Sequence, residues 1–283
     1  MALSNAIAEI WPDEILDRWE AQAVFPQLVS RQYEGDARKG NVVHLTGIVP
    51  PTVKNYKTGV ISDGASGTIA RTTKADDVTD TGVDLLIDQE KSIDFKVQDI
   101  DAVQAGGIVT VRHYTDAAGD ALATDSDEFI AAMLVTNGTA ITPSALSTGD
   151  AAWNMIVEAR KRLQKAKAPA SNRVVAINAE FEALLLQASS KLTDFSSSGD
   201  TDGLREATLG KILGFRVVSA AHLPVSDKPQ MVAFHQKAAA YVSQIDQMER
   251  LRDNDSFSDR VRGLHVYGGK VIKATGIQVF TAS

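Results

Sequence analysis

The stretch that most limits how this chain can fold runs from Asn172 to Pro224. Within it, Val174-Val175-Ala176-Ile177 is short, β-branched and bounded by polar residues, which reads as a buried strand. A helix is expected next. Asn178 suits the N-cap, Glu180 and Glu182 place negative charge in the first turn, and Phe181, Leu184, Leu185 and Ala188 recur on one face. A polar linker from Lys191 to Asp202 follows. Leu209-Gly210-Lys211-Ile212-Leu213-Gly214 then turns the chain into a second strand, Phe215-Arg216-Val217-Val218-Ser219, ended by His222-Leu223-Pro224. Strand, helix, loop and strand in this order make the core of an α/β unit, and it carries no obvious catalytic group.

A chain of 283 residues has room for two lobes around such a unit, since single domains usually run about 100 to 200 residues. Its 44% hydrophobic and 23% charged residues are ordinary for a soluble globular protein. No cysteine is present, so neither a disulfide framework nor a thiolate metal site is available, which fits a reducing cytoplasm. The net charge is -7 and no basic run exceeds Arg160-Lys161-Arg162, so the footprint that drives counterion release on nucleic acid is missing. Sequence-specific binding of DNA or RNA is therefore not expected. Met1 to Ile10 lacks the basic and apolar regions of a secretory signal, and no run approaches the ~20 apolar residues of a membrane span.

Upstream, Ile10-Trp11-Pro12-Asp13-Glu14-Ile15-Leu16-Asp17-Arg18-Trp19 reads as a helix start, with Pro12 at the first helical position and a stripe of Ile15, Leu16, Trp19 and Ala23 that Pro26 ends. Nothing precedes this amphipathic piece to pack against, so its stripe must find cover on a remote part of the subunit or on a neighbour. From Gly40 to Gln98 strands alternate with polar interruptions: Val42 to Ile48, Pro50 to Val53, a Gly/Ser/Thr-rich tract from Thr58 to Thr73, then Gly82 to Asp88 and Ile93 to Val97. The last two read as a half-exposed antiparallel pair. Arms of roughly twenty residues would reach about 60 Å, and an isolated two-stranded ribbon of that length needs support from another molecule. The alternative is an ordinary compact sheet with long loops.

Between Asp99 and Leu134 the period turns helical, with Val111, Tyr114, Ala118, Leu122, Phe129, Ile130 and Met133 near one stripe and Gly106-Gly107 delaying the start. A helix from Ile108 to Leu134 would span about 40 Å. Thr136 to Gly149 is a linker, and Asp150 is expected to cap a helix carrying Trp153, Ile156, Val157, Arg160 and Leu163, with Pro169 ending it. Beyond the opening unit, Met231 to Phe234 and Tyr241 to Ile245 read as strands and Asp246 to Ser258 as a polar bridge. Val261 to Tyr267, a Gly268-Gly269 turn, Lys270 to Ala274 and Ile277 to Phe280 finish the chain as sheet.

No motif brings chemistry. The five histidines, His44, His113, His222, His235 and His265, have no metal-ligand spacing. Gly263 to Lys270 departs from a phosphate loop in its first glycine and in Val271, which stands where a hydroxyl would meet magnesium. Asp63-Gly64-Ala65-Ser66-Gly67 lacks the spacing of a nucleophile elbow, and no GxGxxG occurs. No catalytic, cofactor-binding or metal residue is assigned, and no enzyme activity is expected.

Taken in order, several segments resemble the major capsid proteins of tailed bacteriophages, in the branch related to the coat proteins of short-tailed lambdoid phages. They are Ile10 to Leu16, Phe25-Pro26-Gln27-Leu28-Val29, Tyr33-Glu34-Gly35-Asp36, Gly40-Asn41-Val42-Val43, Ile87-Asp88-Gln89-Glu90-Lys91, Val97-Gln98-Asp99-Ile100-Asp101, Arg173 to Ile177 and Ile212 to Val217. The resemblance implies the α+β capsid fold shared by tailed phages and herpesviruses. It implies an N-terminal arm over 1–39, an extended β-ribbon loop over 40–98, a spine helix and peripheral domain over 99–148, a mostly axial domain over 149–245, and a return of C-terminal strands to the peripheral domain over 246–283. It further implies hexamers and pentamers closing into an icosahedral shell around double-stranded DNA held without sequence specificity. The implied setting is a virion capsid assembled in the host bacterial cytoplasm, without a membrane. Candidate partners beyond copies of the chain itself are separate scaffolding, portal or decoration proteins.

Two departures qualify the match. No long scaffolding segment precedes Ile10, so a scaffold is expected to be a separate protein or dispensable, and the chain is too short for the inserted domain of some relatives. The residues of covalent crosslinking find no match. The shell of a cellular encapsulating compartment, a soluble α/β enzyme with an unrecognised site, and a tail or adhesion module are the alternatives.

Overall fold

A computed structural model describes residues 23–34, 40–48, 53, 77, 80–104, 111–187 and 210–283. The first elements are α1 (Phe25–Leu28), β1 (Val42–Ile48), β2 (Asp80–Leu86), β3 (Gln89–Gln98), α2 (Asp99–Gln104) and α3 (Val111–Asn137). They are followed by β4 (Thr139–Ala140), α4 (Gly149–Lys165), β5 (Arg173–Ile177), α5 (Ala179–Leu185), β6 (Lys211–Ile212), β7 (Phe215–Ser219) and β8 (Gln230–His235). Two long strands, β9 (Ala239–Arg252) and β10 (Ser258–Val271), precede the final β11 (Ile277–Thr281). The N-terminal helix expected around Trp11, the segment 58–73 and the linker 191–202 lie outside the described residues.

The unit read first from the sequence sits in a six-stranded sheet of order β4-β11-β8-β5-β7-β6. β5 runs parallel to β7, as a strand-helix-strand crossover requires, and antiparallel to β8. Every residue of β5 and β8 is buried, which is why both segments read as continuous apolar runs. Alternate side chains serve opposite faces. Val175, Ile177, Met231, Ala233 and Phe280 pack with α4 and α5, whereas Val174, Ala176, Val232, Phe234 and Val279 pack with α1 and α3. Asn178 caps α5 as expected and does more than cap. Its Oδ1 accepts from the Phe181 and Gln230 amides, both at 3.0 Å, while its Nδ2 donates to the Val225 and Lys228 carbonyls. One buried amide thus fixes the helix start against the loop before β8.

A second layer is the three-stranded sheet β3-β10-β9. α3 lies along one face of it. Phe95 meets Tyr114, Phe129 meets Tyr267 edge-on at 5.4 Å, and the Tyr267 hydroxyl donates to Asp125 at 2.5 Å. β1 and β2 form a separate antiparallel pair, whose root residues Val43, Leu45, Leu85 and Ile87 pack against Ala240, Val242 and Val266.

Several expectations are corrected. The segments 82–88 and 93–97 do not pair with each other; β2 pairs with β1, and β3 joins β10 along Ser258↔Gln98 to Tyr267↔Gln89. Asp246 to Ser258 is no bridge, because β9 continues through Arg252 and only the turn at 253–257 separates it from β10. Gly268-Gly269 is not a turn either. β10 runs straight through both, and a Cβ on Gly268 would lie 2.1 Å from the Leu86 carbonyl oxygen, so the glycine is there to let another backbone approach. The N-cap of α4 is Thr148, whose hydroxyl accepts from the Ala151 amide, with Asp150 in the first turn. Its buried face is Ala152, Ile156, Ala159 and Leu163, leaving Val157 exposed and Trp153 only half-buried. Pro26 occupies the first turn of α1, and the upstream helix it was expected to end lies outside the described residues.

α1 has no side-chain cap of its own. Asp127 of α3 substitutes: its buried Oδ1 accepts from the Val24 amide at 2.7 Å and the Phe25 amide at 2.6 Å, while Oδ2 is buried with no hydrogen-bond partner among the described residues. Burial pushes the Asp127 pKa up, the two amides and His222 oppose that, and Glu128 adds to it. A folded-state pKa above the unfolded one means the folded protein binds more protons, so this site's contribution is complete at acid pH and is lost as pH rises through the folded pKa. The variant Asp127→Asn keeps an acceptor without the charge. Urea unfolding from pH 3.5 upward should show stability falling less steeply with pH in the variant than in wild type over that window. An identical slope would contradict the assignment.

Candidate functional site

No residue was assigned a catalytic or ligand role, and the histidines stay dispersed. His44 on β1 meets Asp84 on β2 at 2.7 Å, His222 sits 3.9 Å from Glu128, and the buried His235 accepts from the Lys237 amide. His265 is buried against Tyr241, Ser243 and the Tyr267 ring, and of His113 only its place in α3 is described. Gly263 to Lys270 is strand, and Asp63 to Gly67 lies outside the described residues. Among the described residues no group of three or more His, Asp or Glu is placed to hold a metal, and no helix is long and apolar enough to cross a membrane.

What the structure does assemble is surface with unfinished packing. Each strand of the β1–β2 pair has one neighbour, so among the described residues its outer edge is not paired. β3 and β9 are likewise the edges of the three-stranded sheet, with Ser30 bridging the start of β9 through the Ala239 carbonyl and the Tyr241 amide. Open edges offer rows of unpaired N–H and C=O groups, which isolated soluble domains cover or blunt.

The far end of that sheet exposes three apolar side chains beside a polar turn. Phe257 in the β9–β10 turn is 83% exposed, and Ile100 and Val103 of α2 are 62% and 79% exposed. The Asp99 amide donates to the Phe257 carbonyl at 3.0 Å, which brings turn and helix together. Beneath this cap lies a ladder of paired charges. Arg252 bonds both Asp99 and Asp259, Arg250 bonds Asp259, and Arg260 bonds Asp94. The Arg260 hydrogen bond holds Asp94 below the usual carboxylate range, and Arg250 with Arg252 does the same for Asp259. Such exposed pairs add little stability singly, but together they tie α2, β3, β9 and β10 to one another at this end of the hairpin.

Little in the sequence points to this end of the hairpin. Phe257 stands alone among Asp, Ser and Arg, a setting that reads as a solvated loop, and only its own apolarity in that company was a signal.

A family model described as phage capsid protein matches residues 82–280. The chain belongs to the phage capsid protein family. A solved structure from Mycobacterium phage Che8 is 55% identical, with 99% of this chain and 98% of that chain covered and a TM-score of 0.88. The capsid of cyanophage P-SCSP1u, at 16% identity, covers 100% and 95% of the two chains with a TM-score of 0.77, and shows the fold alone. So does the mature capsid of bacteriophage PhiM1, at 14% identity, 98% and 92% coverage and a TM-score of 0.74. A comparison with curated proteins finds no match. The resemblance read from the sequence is therefore correct in family and in α+β fold. This capsid protein forms the shell of a phage by assembling with copies of itself, and its place is the virion capsid.

Proposed function

We propose that the capsid protein closes as hexamers and pentamers into an icosahedral shell around double-stranded DNA, assembled in the cytoplasm of the host bacterium. In this reading 1–39 is the arm and 40–98 the extended loop, rooted through β3. The spine helix and peripheral domain occupy 99–148, the mostly axial domain 149–245, and the peripheral return 246–283. Scaffolding, portal or decoration proteins are separate chains. The role is structural rather than enzymatic, and the DNA is enclosed without sequence-specific contacts, as suits a chain of net charge -7.

One observation carries the reading: a two-stranded ribbon whose outer edges are not paired among the described residues runs from a root that is already packed on its own subunit. An isolated pair of strands is marginal in water, so the ribbon gains its missing partners from a neighbouring copy. Negative-stain electron microscopy and light scattering across a concentration series test this. Closed shells with fivefold and sixfold clusters are the expected result. A compact monomer at every concentration and ionic strength would sink it.

A further inference from the structure

Arg160-Lys161-Arg162 is the longest basic run of the chain, and the fold gathers more cations around it. Between Glu158 and Lys167 the chain carries five cations and one carboxylate. α4 buries Ala152, Ile156, Ala159 and Leu163, which turns Lys161 and Lys165 outward, one turn apart, and sets Arg160 and Arg162 on the two flanks. Arg160, Lys161, Lys165 and Lys167 are all exposed. The carboxylate, Glu158, is taken up by Lys161 at 2.8 Å and Arg162 at 3.1 Å, and these two partners hold its pKa below the usual carboxylate range. The loop after α4 leads into β5, whose start pairs with the end of β8, Arg173 against His235, so that Lys237 in the turn after β8 comes to the same end of the sheet. Like charges are close together here. Burial and then the Arg160 charge push the Arg173 pKa down, and burial followed by the charges of Arg173 and Lys237 lowers that of His235.

Compensation of the helix dipole explains only part of this cluster. Arg162 and Lys165 suit the negative end of α4, but Arg160 and Lys161 stand before its last turn and Lys237 belongs to another segment. Lys167 is the sharper case. It sits at φ 57 just beyond the cap, its amide donating to the Gln164 carbonyl while that of Ala168 donates to the Leu163 carbonyl. Glycine or asparagine usually fills that left-handed position, so the lysine is kept there at a local conformational cost. We propose that this face looks into the shell and neutralises phosphates of the enclosed double-stranded DNA without reading its sequence. Shape favours a duplex over the carboxylates of a second copy: the cations stand on a convex helix surface, on long side chains that can follow a phosphate backbone. Each phosphate they neutralise releases counterions, so a local cluster binds DNA even on a chain of net charge -7. This role presupposes the shell around double-stranded DNA proposed for the chain.

The test uses the full chain, unassembled, and a short fluorescein-labelled DNA duplex whose anisotropy is read across ~50 to 200 mM salt. Wild type is expected to bind duplexes of different sequence equally and to lose affinity steeply with salt. In Arg160→Gln/Lys161→Gln/Lys165→Gln the double-logarithmic salt slope should shrink by roughly 2 to 3, since each lost phosphate contact removes ~0.9, and affinity at low salt should drop about tenfold or more. Glutamine keeps the helix propensity and the three positions are exposed, so the urea midpoint should stay at the wild-type value. Arg160→Lys/Lys161→Arg/Lys165→Arg should retain both affinity and slope. Without DNA, the glutamine variant should form shells at the wild-type concentration. Because the chain has no cysteine, Lys165→Cys offers a single thiol, which a maleimide on a bulky polymer should label in dissociated protein and not in closed shells. Absent binding by wild type, or an unchanged slope in the glutamine variant, overturns the proposal. So does a raised concentration for shell formation, which would give the face to a contact between copies, and so does labelling of Lys165→Cys in closed shells, which would put it outside. Should wild type form no shells, the shell reading falls, while the duplex titration still decides whether this face takes phosphate.

Discussion

Replacing Gly268 by alanine is expected to destabilise the capsid protein by about 3 kcal/mol, the upper end of what overpacking usually costs. A Cβ at that position would lie 2.1 Å from the Leu86 carbonyl oxygen, 2.8 Å from the Ile87 Cα and 3.0 Å from the Leu86 carbonyl carbon. All three are backbone atoms, so no rotamer change can relieve the clash, and β10 must move away from the β2–β3 junction. That junction roots the ribbon through Leu85, Ile87 and Val266, and it sets the Tyr267↔Gln89 pair that closes the β3–β10 ladder. Gly269→Ala is the natural contrast: its nearest neighbours are the Met133 sulfur at 3.1 Å and the Phe129 ring at 3.2 Å, and a thioether can swing aside. Gly119→Ala serves as a second control, since nothing lies within 4 Å of its Cβ in the interior of α3. It should stabilise by ~0.5 to 1 kcal/mol through helix propensity alone. Urea unfolding midpoints at constant slope would order the three as Gly268→Ala lowest, Gly269→Ala between, and Gly119→Ala above wild type. A Gly268→Ala protein as stable as Gly119→Ala would mean that the close approach of the two backbones is wrong.

These glycines also show what a sequence can and cannot reveal. Asn178, β5 and β8 were legible because their signals are local: a cap followed by acidic residues, and β-branched runs buried on both sides. Gly268-Gly269 reads as a turn because the neighbours that require glycine, Leu86 at Gly268 and Met133 with Phe129 at Gly269, are far away in the chain. The same distance hid the partner of β3, whose Asp94 is bonded by Arg260, 166 residues away. Periodicity proposes a strand but is silent on which strand it will join. On α4 the large apolar residues Trp153 and Val157 suggested one face, whereas the sheet selected Ala152 and Ala159, small enough for the helix to approach closely. The family could be recognised because it depends on the order of many such local segments and not on any single contact.

Assembly should be most sensitive at the tip of the β9–β10 hairpin. Phe257→Ala is expected to leave unfolding free energy within ~0.5 kcal/mol of wild type, because a side chain that is 83% exposed contributes little to the isolated fold. The backbone bond from the Asp99 amide to the Phe257 carbonyl is retained in the variant, and the ladder of Arg250, Arg252, Asp99 and Asp259 is untouched. In the shell the balance reverses. Fully burying a phenylalanine against a neighbour is worth roughly 1.5 to 3 kcal/mol, and each 1.4 kcal/mol is a tenfold change in an association constant. The concentration at which shells first appear should therefore rise about 10- to 100-fold for Phe257→Ala. Ile100→Asp combined with Val103→Asp should raise it further, since each would place a charge in a contact that excludes water. Light scattering against protein concentration reads that threshold, and urea unfolding of the unassembled protein reads the fold. If Phe257→Ala forms shells at the wild-type threshold, the tip faces solvent in the assembled particle, and the ribbon and sheet edges must supply the cohesion between copies. A lowered unfolding free energy with an unchanged threshold would instead give Phe257 a role inside its own subunit, which its exposure argues against.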